Sequence, residues 1–389
     1  VIDDRPVCQD RASKGAFSQA GITCKIVPNT AALGALKRHF MTIPDTAAVA
    51  ISDPLYKLAR ALLFRFDAEQ SHNLALGALA LPPVRGIVRK RYHSPNNAFT
   101  SMGLQFDNRV GLAAGLDKNG DYIDGLGAFG FGAIEIGTIT PKPQEGNPKP
   151  RMFRLTEHEA IINRMGFNNK GIDHLVKQAE RRRYQGVLGI NIGKNASTEL
   201  NNAVDDYLIC LERAYAVCDY ITVNVSSPNT QGLRDLQHGE RLQELLQKLK
   251  NRQAQLATQH GGYKPLLVKI APDMSPDERS AFSKAAIEAE IDGVISGNTS
   301  NQRQWVAGHK HEQEQGGLSG APIKALADES LAQIAAEVGT KMAVIGVGGI
   351  NNGADAKHKL ELGADWVQLY SGLIYQGPAL VQSCIRNTA

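Results

Sequence analysis

Beyond residue 105 the chain alternates between two hydrophobic periods. Short runs of β-branched and other apolar residues recur at 110–115, 133–140, 186–193, 220–226, 266–272, 293–298, 342–349 and 366–372, eight in all. Between them lie stretches in which apolar residues return every three or four positions, clearest at 241–259, 276–290, 323–338 and 354–362. The runs are apolar almost throughout rather than alternating, as strands are when both faces are covered. Eight such strand-then-helix units predict an α/β fold, a (β/α)8 (TIM) barrel, over 93–389.

Ahead of the barrel the period is helical only. Asp53-Pro54 offers an N-cap and a first-turn proline, and Leu55, Leu58, Ala59, Leu62 and Phe66 fall on one stripe with Lys57, Arg60 and Arg65 off it. This predicts a helix over 53–66. A second over 68–81 carries His72, Leu74, Leu76 and Leu79, and a basic linker with Arg85, Arg89, Lys90 and Arg91 follows. The expected layout is therefore a poorly ordered extension over 1–50, an amphipathic helical part over 51–92, and the barrel. The helical part reads either as a hairpin packed on the barrel or as an apolar vestibule resting on a membrane and admitting a lipophilic molecule. The four cations before the barrel favour the vestibule.

Composition narrows the class. Net charge is +4, but residues 1–40 hold six Lys/Arg against three Asp, so the remainder carries about +1. A nucleic-acid binder concentrates positive charge on its folded body, and this one does not. The five cysteines include no CxxC spacing and point to reduced structural thiols rather than disulfides or a metal site. No apolar run reaches the roughly 18 residues that span a bilayer, and the N-terminus lacks a secretory apolar core. Met41, the first methionine, precedes the first patterned segment, so either a targeting extension or a start near Met41 is expected.

In a (β/α)8 barrel the active site lies at the C-terminal ends of the strands. Those positions hold Lys118, Thr138, Asn191, Asn224 with Ser226 and Ser227, Lys269, Asn298 with Thr299, Gly348 with Gly349, and Tyr370 with Ser371. The set is rich in amides, with two lysines and almost no carboxylates. The segment Asn224-Val225-Ser226-Ser227-Pro228-Asn229 concentrates amides and hydroxyls at one strand end, which suits holding a flat polar heterocycle and moving a proton. Strand phase does not choose between Ser226 and Ser227. Gly346-Val347-Gly348-Gly349 and Tyr370-Ser371-Gly372 occupy the usual phosphate cradle of such barrels and lack the spacing of a dinucleotide fingerprint.

Further motifs sharpen this. Gly111-Leu112-Ala113-Ala114-Gly115-Leu116-Asp117-Lys118, Ile134-Glu135-Ile136-Gly137-Thr138, Asn163-Arg164-Met165-Gly166-Phe167-Asn168, Gly189-Ile190-Asn191-Ile192-Gly193-Lys194-Asn195, the 224–229 segment, Gly316-Gly317-Leu318-Ser319-Gly320 and 345–350 follow in order. From about Asp53 onward the chain resembles the class 2 dihydroorotate dehydrogenases, quinone-dependent FMN enzymes of pyrimidine synthesis. The resemblance implies oxidation of dihydroorotate to orotate, with Ser227 as base and a hydride passing to flavin N5; class 1 members carry cysteine at that position. It further implies Lys118, Asn163, Arg164, Met165, Gly166, Phe167, Asn224, Asn229, Asn298 and Thr299 around the substrate. Around FMN it implies Ala114, Gly115, Lys118, Thr138, Asn191, Asn224, Lys269, Gly297, Gly320, Gly349, Tyr370 and Ser371. His72 and Arg154 match positions near the quinone path, and no metal is expected. Gly297 departs from the family's usual Thr or Ser, so a hydroxyl contact to FMN is lost there.

The implied setting is a monomer or weak oligomer on the cytoplasmic face of a bacterial inner membrane, with the mitochondrial inner membrane less favoured. Two other readings keep the barrel. One is a flavin-free lyase or isomerase acting on a phosphorylated metabolite through an imine on Lys269. The other is a tRNA-modifying flavin enzyme, which the near-neutral body opposes.

Overall fold

The structure, a computed structural model, describes residues 53–92 and 97–389. The extension expected over 1–50 lies outside the described residues.

All eight expected strands form: Val110–Leu112, Ala133–Ile139, Val187–Ile192, Tyr220–Asn224, Leu266–Ile270, Gly293–Ser296, Ala343–Val347 and Trp366–Leu369. Each pairs in parallel with the next, and the eighth closes on the first through Val367 opposite Val110. Nearly every strand residue is buried, as continuous apolar runs require when side chains fill both the barrel and the helix interface. The expected runs start within one residue of the strands and overrun their ends by one to three. Some of the overrunning residues, Ala113, Ala114, Gly115, Gly348 and Gly349 among them, wall a cavity.

The barrel interior is stacked in tiers. At the floor Phe106, Tyr220, Leu267, Ile295, Ile345 and Trp366 form one cluster. Phe106 comes from an antiparallel hairpin, Phe99–Ser101 with Leu104–Phe106, and its ring sits 5.4 Å from that of Trp366. Two strand glycines make room for the aromatic rings. A Cβ on Gly189 would lie 2.1 Å from the Tyr220 ring and one on Gly111 2.6 Å from Trp366. Above the floor is a polar tier centred on Glu135, and above that the mouth.

Two features depart from the sequence reading. The basic segment after the second helix is itself a helix. The front is thus α1 (Pro54–Leu63), α2 (Ala68–Ala80) and α3 (Pro82–Arg91). Pro82 sits at the α3 start, where a missing N–H costs nothing, and Arg89, Lys90 and Arg91 end it, where cations oppose the helix dipole. Prolines and cations that looked like a linker are the helix's terminal signals. The second departure is a three-stranded antiparallel sheet over the mouth, Met152–Leu155, Ala160–Asn163 and Gly317–Gly320, with Asn163 opposite both Met152 and Gly317. Two of its strands form a local hairpin about the Thr156–His158 turn, but the third comes from a loop far along the chain, so no local pattern announces the whole sheet.

The front is fixed to the barrel by charge as well as packing. Glu69 of α2 takes two hydrogen bonds from the Arg151 guanidinium, at 3.0 and 2.7 Å, both side chains being nearly buried. The α1 stripe, however, does not pack inward. Leu55, Leu58, Leu62 and Phe66, with Leu74, Leu81 and Ile87 of the neighbouring segments, are each more than half exposed. The helices thus pack on the barrel through one edge while these side chains stay exposed. Among the described residues no helix is long and apolar enough to cross a membrane.

Candidate active site

The strand ends, the 224–229 loop and the roof sheet line one cavity. Its wall includes Ala114, Gly115, Lys118, Thr138, Asn163, Met165, Gly166, Phe167, Asn224, Ser227, Asn229, Lys269, Asn298, Thr299, Gly320, Gly349, Tyr370 and Ser371. Most of the residues expected at the site thus share one space. Arg164, Asn191 and Gly297 are not on that wall. Arg164 turns away to pair with Glu314 at 2.7 Å and lies over the Phe153 ring, locking the roof rather than lining the chamber. Asn191 sits one layer down, accepting from Thr138 Oγ1 at 2.5 Å and donating to Glu135 at 2.8 Å. Gly297 has φ +131°, and a Cβ there would meet the Val347 carbonyl at 2.5 Å. The absent hydroxyl is therefore tied to a backbone that admits no side chain without moving.

The two serines separate cleanly. Ser226 is fully buried, its hydroxyl donating to Asn224 Oδ1 at 3.1 Å and accepting from Asn298 Nδ2 at 2.7 Å. Ser227 faces the cavity, its Oγ taking only the Asn229 N–H at 3.2 Å among the described residues. Asn224 is held by Thr138 and Asn191, at 2.9 and 3.2 Å, and Asn229 donates to the Asn163 carbonyl at 3.1 Å. The amides are thus cross-braced. Arg234, which the sequence reading did not single out, staples this loop. It donates to the Ser226 and Thr299 carbonyls at 3.1 and 2.9 Å and pairs with Asp273 at 2.9 Å.

Electrostatically the cavity is cationic, with two enclosed lysines on its wall. Burial lowers Lys118 to about 8, with Glu69 opposing the shift and Arg151 adding to it. Lys269 is lowered too, by burial, against the pull of the Glu135 carboxylate. Both ammonium groups therefore gain from an anionic ligand. Gln368 was also missed. It lines the cavity, and its Oε1 is buried without a partner among the described residues. A polar residue inside the buried run Trp366-Val367-Gln368-Leu369 was the available signal. Ser371 donates to Ser319 at 2.8 Å beside the glycine turns. At Gly349, φ +72° and a Cβ position 2.4 Å from Lys324 Cα leave bare backbone as the only solution.

A second cavity, almost wholly apolar, lies between α1–α3 and the barrel. His72 and Arg154 line it. Arg154 braces the α1–α2 corner, donating to Ser71 Oγ at 3.3 Å and to the Phe64 and Phe66 carbonyls, with its guanidinium 4.5 Å from the Phe64 ring centre. Burial, with the Lys118 charge adding, drops His72 to about 3, so its imidazole is neutral. That Lys118 acts on His72 places the histidine at the boundary of the two cavities.

Comparison with known proteins gives a consistent result. The family model described as Dihydroorotate dehydrogenase matches residues 98–388. The chain is 55% identical over 341 residues to a Chromobacterium violaceum protein named dihydroorotate dehydrogenase (quinone), covering 86% of this chain and 98% of that one. A Neisseria meningitidis protein of the same name is 52% identical over 335 residues, covering 86% and 100%. The crystal structure of DHODH from Eimeria tenella in complex with ferulenol superposes with a TM-score of 0.77 at 35% identity, over 85% of this chain and 93% of that one. With a closed eight-stranded barrel, a Ser-bearing amide loop at its mouth and relatives matched over nearly their whole length, this chain belongs to the dihydroorotate dehydrogenase family.

Proposed function

We propose that this protein oxidises dihydroorotate to orotate for pyrimidine synthesis, with FMN held across the barrel mouth and a quinone as the electron acceptor. The observation that carries the reading is the convergence of Ser227, Lys118, Lys269 and four asparagine amides on one cavity. The residues present fit the cofactor. An unpartnered Gln368 carbonyl and the Lys269 ammonium offer an acceptor and a charge to a polar ring edge, and the turns at Gly349, Gly320 and Ser371 leave backbone free for a phosphate. Bound FMN would supply the hydride acceptor.

The chain's own groups do the rest. Asn163, Asn224, Asn229 and Asn298 orient the substrate ring, each amide offering both donors and an acceptor. Ser227 takes the ring proton, and as a hydroxyl it must pass it onward. Lys118 stabilises the negative charge that develops on the substrate, and Lys269 that on the reduced cofactor. The helices of 51–92 form the quinone entrance, with His72 and Arg154 along it, and the barrel of 93–389 is the catalytic unit. Outward leucines on α1 and the cations ending α3 suit peripheral contact with a bacterial inner membrane on its cytoplasmic face.

The test is an absorbance spectrum of the purified protein before and after anaerobic addition of dihydroorotate. A flavin band that bleaches and returns on adding a quinone is expected; colourless protein that stays colourless with added FMN sinks the proposal. Borohydride trapping of a substrate on Lys269 would instead indicate the imine-forming lyase.

A further inference from the structure

We propose that Gln144 and Asn147, which lie off the cavity wall, are positioning residues for the substrate. They hold the carbonyls of Arg164, Met165, Gly166 and Phe167 and so turn the N–H groups of Met165, Gly166 and Phe167 to the cavity side. The inference rests on the dihydroorotate reading of the cavity given above.

The chain leaves the roof strand Ala160–Asn163 and passes along the cavity wall at Met165, Gly166 and Phe167. Each carbonyl of Arg164–Phe167 is taken by the neighbouring segment 144–147. Asn147 Nδ2 donates to the Arg164 oxygen at 2.9 Å and the Asn147 N–H to that of Met165 at 3.0 Å. Gln144 Nε2 donates to the Gly166 and Phe167 oxygens at 3.0 and 3.2 Å. The peptide bonds joining these residues are trans. In a trans peptide the C=O of one residue and the N–H of the next point in opposite directions. Carbonyls drawn toward Gln144 and Asn147 therefore send the next three N–H groups the other way. Successive N–H groups on one side form a concavity for an anion, and dihydroorotate carries a carboxylate.

The backing segment is itself fixed. Gln144 Oε1 accepts from the Ala196 N–H at 2.9 Å and from Asn195 Nδ2 at 2.8 Å, which leaves its amide nitrogen for the carbonyls. Its backbone exchanges bonds of 3.0 and 2.9 Å with Asn169. Arg151 secures the other end, donating to the Glu145 and Asn147 carbonyls at 2.6 and 2.9 Å. The two segments lie so close that a Cβ on Gly146 would meet the Met165 oxygen at 2.2 Å, and one on Gly166 would meet Asn147 at 2.9 Å. Phe167 is held at φ +53°, a conformation rare for a bulky side chain.

The experiment measures kcat and KM for dihydroorotate on the flavin-loaded enzyme, with inhibition constants for orotate and for uracil, the same ring without the carboxylate. The variants are Gln144→Met and Asn147→Ala, each of which removes side-chain donors without altering the cavity wall. Each should raise KM and the orotate constant about tenfold or more, as expected when hydrogen bonds to a charged group are misdirected. The uracil constant and kcat should stay within about threefold of wild type. A purely structural role would lower kcat with the active fraction and leave KM in place. That outcome, or equal losses for orotate and uracil, overturns the inference. Should Gln144→Met fail to fold, Asn147→Ala carries the test alone, because its backbone N–H to Met165 remains. Wild-type protein whose flavin is not reduced by dihydroorotate overturns the reading beneath it instead.

Discussion

At the scale of single residues the site is decided by which of two adjacent hydroxyls is free. Ser226 spends both its donor and an acceptor on Asn224 and Asn298, whereas Ser227 opens on the cavity. Ser227→Ala is expected to lower the rate of cofactor bleaching by dihydroorotate by about 10²-fold or more, with the bound-flavin spectrum intact. Stopped-flow absorbance checks this, and near-normal bleaching would remove Ser227 from the role of base. Lys118 carries a pH signature. Its free-state value near 8 means the ammonium is present below that pH and is lost as pH rises through it. Orotate, an anion, favours the charged form, so its affinity should be flat below about pH 8 and weaken above it, by up to tenfold per unit. In Lys118→Met the affinity should be lower and independent of pH over the same span, as read by flavin absorbance titration.

At the scale of elements, the front is three short helices that lean on the barrel through one edge and expose the other. The inner edge, with Tyr56, Ala59 and Leu63, walls the apolar cavity, while Leu58, Leu62 and Leu81 look outward. Introducing charge with Leu58→Glu and Leu62→Glu together should cut co-sedimentation with anionic vesicles several-fold, since interfacial binding scales with buried apolar area. Reduction of the flavin by dihydroorotate should not change. Equal binding by variant and wild type would leave the exposed stripe without a membrane role. The Glu69–Arg151 pair belongs to this scale too. Breaking a nearly buried pair from one side strands a charge at a cost of about 3–5 kcal/mol. Glu69→Ala should therefore loosen α2, seen as faster amide exchange over Ala68–Ala80, before it affects the barrel.

At the scale of the whole molecule, a closed parallel barrel converts residues scattered along the chain into one chamber. Strand ends from Lys118 to Ser371 share a wall because closure brings the eighth strand against the first. A cofactor gripped by so many strands binds the folded state alone, so free flavin at about 100 times its Kd should stabilise the protein by about 2.7 kcal/mol. Thermal melts with and without FMN measure it, and coincident melts would contradict a cofactor spanning the mouth.

The amino-acid sequence by itself determined the eight strands, their order and the chemical inventory at their ends. Burial on two faces leaves an unbroken apolar run whose period is readable over a few residues. Polar groups at run ends stand out against that background, which is how Asn224, Lys269 and the Ser226-Ser227 pair could be found. Only the tertiary structure decided which serine opens on the cavity, that α1 shows its leucines to the outside, and that Pro82–Arg91 is a helix. It alone assembled the roof sheet and wired Glu135 to Asn191, Tyr220, Thr222 and Gln368. Periodicity reports that a face is apolar but not what covers it. Hydrogen bonds and charge pairing between residues tens to hundreds of positions apart exist only once the barrel has closed.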